Sequence, residues 1–163
     1  MANYHHPLEI QPETEANCDA ASNLADALLA DQPELSKKVR RALLCDHCEA
    51  RRGIIEAIKF IWLAAESSSG RLTPAHRVDL AWHELILFTR TYQQLCDKHF
   101  GKFVHHQPEG IGQENKQPFS TTVTRYREVF GVPPQDFWGT WDDPKTKASS
   151  KTSDCGTCES NGE

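Results

Sequence analysis

The sequence predicts an all-α fold, a single-domain bundle of four or five helices. Three observations predict it. Apolar residues recur at helical spacing in several successive segments. Helix-start and helix-stop residues, among them Pro33, Thr73 with Pro74, Gly101 and Gly131, lie between those segments. No run keeps the alternation of a strand, apart from the short GKFVHH beginning at Gly101. A chain of 163 residues is expected to form one domain. We place that domain at residues 17–142, with a flexible N-terminal arm over 1–16 and a disordered tail over 143–163.

The first helix is predicted over Asn17–Ala30, where Leu24, Ala27, Leu28 and Leu29 give a modest pattern. Pro33 suits the first turn of a second helix, and Glu34 suits its positive end. Leu35, Val39, Ala42 and Leu43 then form one stripe. Beyond the sequence CDHCEA, a third helix carries Ile54, Ile55, Ile58, Ile61, Trp62 and Ala65. A fourth opens with Thr73 as cap and Pro74 at the first helical position. It is expected to run unbroken to Phe100, where Gly101 stops it. A glycine- and proline-bearing loop follows. Phe119, Val123, Tyr126 and Phe130 then predict a last helix, ended by Gly131 and VPPQ. The aromatics of DFWGTW are expected to lie over the core, and the polar stretch from Lys145 lacks apolar anchors.

The net charge of −5 leaves no basic excess for nucleic acid. The cluster Lys37, Lys38, Arg40, Arg41, Arg51 and Arg52 reads as a solvated helix face, because acids lie nearby. No apolar stretch is long enough to span a bilayer, and the N-terminus lacks the apolar centre of a signal peptide. The expected compartment is the cytoplasm, where disulfides among the six cysteines are disfavoured.

On a wheel of the fourth helix, Val78, Ala81, Trp82, Leu85, Thr89, Tyr92, Leu95 and Cys96 share one face. Asp79, His83 and Arg90 mark a polar stripe on the other, with Asp79 and His83 one turn apart. A straight helix to Phe100 carries His83 roughly 25 Å from its end. Five extended residues then return only about 17 Å. His83 can therefore share a site with His105 or His106 only if the helix stops early or bends.

A local set is easier to build. Cys96 and His99 are one turn apart, and His105 or His106 can fold back across Gly101. One thiolate with imidazoles would suit zinc, although the spacing is not a standard zinc pattern. Cys45 and Cys48 form one CxxC, and Cys155 and Cys158 another. Together they could make a four-cysteine zinc site, or either could be a redox dithiol. Cys18 is expected to pack. The sequence HELIL fails the zincin pattern because Leu87 stands where the second histidine is required. No nucleophile elbow or phosphate loop is present, so no catalytic residue is assigned.

The stretch FIWLAAESSSGRLTPAHRVDLAWHELILFTRTYQQLC, then GKFVHHQP, then TTVTRYREVFGVPPQDFW, resembles the glycine-rich domain-containing protein-like family. The positions that carry the resemblance are Pro74, Val78, Asp79, Trp82, His83, Tyr92, Cys96, Gly101, His105, His106 and Pro108, followed by Thr122 or a neighbour, Tyr126, Gly131 and Trp138. It covers about residues 60–138. The resemblance implies no catalytic roles, and the family's long glycine-rich segment is missing here. The sequence DCGTCES looks similar to a shortened form of the tails of some relatives. The first functional expectation is a non-catalytic domain that binds a protein partner through the polar stripe or the His turn. The second is a metal-binding protein. The third is a thiol redox protein.

Overall fold

The computed structural model describes residues 12–68, 71–106 and 116–140. The expectations for the N-terminal residues 1–11, the tail and the Cys155–Cys158 pair lie outside the described residues. Those that are described form seven α-helices and no strand. They are α1 (Pro12–Asp31), α2 (Pro33–Leu43), α3 (His47–Glu66), α4 (His76–Ile86), α5 (Thr89–Leu95), α6 (Lys116–Phe130) and the single turn α7 (Gln135–Trp138). A π-helical turn, Cys96–Phe100, continues α5. The all-α class stands, while the count exceeds the four or five expected. GKFVHH forms no strand, and α1 starts five residues before the predicted Asn17.

Helix α3 is the axis of the molecule, packed by α1, α2, α4 and α6. Every residue from Gly53 to Ile61 is buried, so the helix is enclosed on all sides rather than along one stripe. Asp46 begins it by accepting the amide of Glu49 at 2.8 Å. Gly53 allows close packing: a Cβ there would lie 2.8 Å from a methyl of Leu43 and 3.5 Å from Ala81.

Enclosure traps two charges, Glu56 and Lys59, and the surrounding helices satisfy both. Lys59 Nζ donates to Glu56 at 3.0 Å and to the Tyr126 hydroxyl at 2.9 Å. The Tyr126 hydroxyl and Trp138 Nε1 donate to the other Glu56 oxygen, each at 2.7 Å. This network ties α3 to α6 and α7, and it makes Trp138 a core residue, as its aromatic segment predicted.

The basic cluster is solvated, and three of its six members pair with acids: Arg51 with Asp26, Arg52 with Asp136, and Lys37 with Glu34. No described helix is long and apolar enough to cross a membrane.

The predicted fourth helix is corrected at its start and in its middle, while its stop at Gly101 stands. Residues 71–75 run without helix, and Thr73 offers its amide to the Thr122 hydroxyl at 2.9 Å instead of capping. Ala75 takes the cap position. At Leu87–Phe88 the helix breaks. The Leu87 amide reaches the His83 carbonyl only at 3.4 Å, Phe88 leaves helical geometry at φ −84° and ψ 62°, and α5 restarts on the Phe88 carbonyl. The π-helical turn then widens the last turn, and Gly101 at φ 63° reverses the chain.

Candidate metal centre

The break at Leu87–Phe88 decides what meets what. It separates Arg90, which is exposed on α5, from the stripe on α4. Asp79 and His83 remain together, with His83 Nε2 at 3.6 Å from Asp79 Oδ2. The redirected chain brings residues 102–106 back alongside α4. Tyr92 holds them there. Its buried hydroxyl donates to the Val104 carbonyl at 2.6 Å and accepts Trp82 Nε1 at 3.1 Å. Trp82 precedes His83, and Val104 is two residues before His106, so this chain of bonds sets one imidazole against the other. The Trp82 ring adds an edge contact to His106, with ring centres 4.8 Å apart.

His106 Nε2 therefore lies 2.7 Å from His83 Nε2 and 3.0 Å from Asp79 Oδ1. One ligand atom from each of Asp79, His83 and His106 falls within 4.8 Å of the others. Hydrogen bonding serves this arrangement only if one His106 N–H is shared between Asp79 and the lone pair of His83. An imidazole nitrogen carries one proton at most. If His106 Nε2 donates to Asp79, it has no lone pair for His83. If it accepts from His83, its lone pair faces a carboxylate oxygen. A cation would satisfy all three atoms at once. Two ligands bound at 2.0–2.1 Å to a tetrahedral ion stand about 3.3 Å apart. The two contacts of His106, 2.7 and 3.0 Å, are shorter than that, and the 3.6 Å from His83 runs to the other Asp79 oxygen, so an ion would enter with the side chains parting by a few tenths of an ångström.

The three side chains line a cleft of about 580 Å³. Phe60, Ala64 and Trp82 come from the core side, Arg71 to Pro74 from the segment before α4, and Lys102 to His105 from the returning loop. If these three side chains held a metal ion, at least one coordination position would be left for water or an incoming group.

The set proposed from sequence, Cys96, His99, His105 and His106, contributes only His106 to this cluster. Cys96 is fully buried in the core. His99 is exposed on the π-helical turn, its pKa lowered by partial burial and by Lys98. His105 is exposed and turns to the Phe103 ring, 4.6 Å away. Cys45 and Cys48 are free thiols at the start of α3. Burial and then Glu49 push the Cys45 thiol up, away from the thiolate that a redox dithiol needs. Cys18 packs as expected, its thiol donating to the Phe130 carbonyl at 3.6 Å.

Every member of the cluster was visible in the sequence, but in separate groups. Asp79 and His83 stood in the stripe, and His106 in the His turn. Their meeting depends on a helix break that neither proline nor glycine marks. Arg71 and Lys102, on the cleft wall, carried no sequence signal.

Fold and site together define an all-helical protein with a candidate two-histidine, one-carboxylate centre at the mouth of a cleft. The model of the UCP032817-like family matches residues 24–128, more than half of the chain, and the protein belongs to that family. The matched stretch contains the whole Asp79–His83–His106 cluster. No curated protein and no solved structure matches the chain.

Proposed function

We propose that the protein binds a divalent transition-metal ion through Asp79, His83 and His106. One observation carries the reading: three ligand atoms from two chain segments converge within 4.8 Å on a cleft. Two imidazoles and a carboxylate suit zinc, and the same set with open positions suits iron(II). The centre is accessible, which favours binding and handling of an exchangeable ligand over a closed structural role. The cytoplasm and the relation to glycine-rich domain-containing proteins, through the Pro74–Pro108 pattern, belong to the same proposal.

Metal analysis of tag-free protein is the test. One zinc or iron per chain is expected after loading and desalting. Asp79→Asn, His83→Ala and His106→Ala should each abolish retention while far-ultraviolet helicity is preserved. A wild-type chain that retains no metal, or variants that retain it equally, would remove the reading.

A second reading, binding of a protein partner, is favoured by Leu44. It is 92% exposed in left-handed geometry, beside Arg40, Arg41 and Lys37. An apolar tip among cations would suit an acidic partner surface. If so, Leu44→Asp should dissociate any complex that the native protein forms on size exclusion. A complex unaffected by that change would exclude this surface.

A further inference from the structure

We infer that the cleft beside Asp79, His83 and His106 takes a small organic monocarboxylate with an apolar body. This deepens the metal reading and rests on it for the seat of the carboxylate.

Charge is the first argument. The chain carries −5 overall, yet two cations stand against one carboxylate among the described lining residues of the cleft. Arg71 comes from the segment before α4, and Lys102 from the loop that carries His106. Among the described residues, Asp79 is the one carboxylate on the lining, and it already faces two histidines. An anion is therefore the preferred guest. Shape and polarity are the second argument. The volume of about 580 Å³ lies within the range of small-molecule sites. Phe60, Leu72 and Phe103 supply apolar wall, which a bare inorganic anion would leave unused. The open coordination position left by three protein ligands accepts a carboxylate oxygen, and the body lies on the aromatic and aliphatic wall.

The probes are 2-naphthoate, the neutral 2-naphthol on the same ring system, and inorganic phosphate. Each is titrated calorimetrically into the zinc-loaded full chain, with metal content measured on the same sample. Naphthoate should bind at least about tenfold more tightly than naphthol or phosphate, the contrast expected of charge-assisted contacts over neutral ones. Arg71→Gln and Lys102→Gln should each weaken naphthoate by about three- to tenfold, with metal content and helicity unchanged. Metal at one per chain with naphthoate no better than naphthol would overturn this inference and leave the metal reading standing. Phosphate binding more tightly than naphthoate would overturn it too. A chain that retains no metal defeats the metal reading, and the carboxylate seat falls with it.

Discussion

Replacing Tyr92 with phenylalanine tests how the site is held. The change keeps the ring and removes one oxygen. That oxygen receives Trp82 Nε1 and donates to the Val104 carbonyl, and all three residues are buried. A lost hydrogen bond costs about 1 kcal/mol, and each partner stranded without water costs about 1–3 kcal/mol. Val104 also lines the cleft, where water can replace the phenol, so the lower end applies to its carbonyl. Trp82 lines the cleft as well but is only 4% exposed, so its N–H is placed nearer the middle of that range. Together the two losses come to about 2–3 kcal/mol. Urea unfolding of the metal-free protein should show a lower midpoint with an unchanged slope. Zinc affinity, read by competition with a chromophoric chelator, should fall about 10–100-fold, as when other supporting groups behind metal ligands are removed. A stability change below about 0.5 kcal/mol, together with unaltered zinc affinity, would refute the claim that this hydroxyl holds the loop against α4.

Other consequences follow from the same structure. Glu56→Ala leaves Lys59 buried without its carboxylate and should cost about 3–5 kcal/mol in chemical denaturation; a second change, Lys59→Met, should recover part of it. Gly101→Ala places a Cβ in open space at φ 63°, so its cost is backbone conformation alone, about 1 kcal/mol, and Gly101→Asn should cost less. Burial raises the Tyr92 phenol, and burial with Glu56 raises that of Tyr126, from an ordinary value of 10.0. Folded phenols then keep protons that unfolded ones release. Their stability contribution is complete below pH 10 and is lost as pH climbs beyond it, so alkaline denaturation monitored at 295 nm should release both phenolates with unfolding. Phenolate absorbance from both residues well before the helicity is lost would contradict their burial.

The helical class was legible because periodic apolar residues report burial directly. Val78, Ala81, Trp82, Leu85, Tyr92, Leu95 and Cys96 are all buried, as the wheel required. Thr89 is the exception, exposed at the first position of α5. The break was not legible. It sits in Ile86-Leu87-Phe88-Thr89, where no residue type marks a stop and the pattern continues on either side. The enclosure of α3 was also hidden. Glu56 and Lys59 look like a solvated face from the sequence, and only the arrival of Tyr126 and Trp138 from far along the chain makes them internal. Local patterning encodes which face is apolar. It does not encode how many neighbours will cover the others.

On the proposed metal reading, the interruption of α4 also ties metal binding to folding. Asp79 and His83 share one helix, but His106 lies 27 residues from Asp79 in the chain. An unfolded chain has no reason to hold these three atoms within one coordination sphere, so the centre exists only when the break, the π-helical turn and the Tyr92 tether are all in place. An ion that binds the folded state alone stabilises it by mass action, by about 2.7 kcal/mol at a free concentration one hundred times its dissociation constant. The Tyr92 hydroxyl therefore contributes twice, once by satisfying buried groups and once by keeping the third ligand in reach. Removing it should shrink the gap in unfolding free energy between metal-loaded and metal-free protein as well as lower both values. A purely structural tyrosine would lower both by the same amount and leave the gap intact.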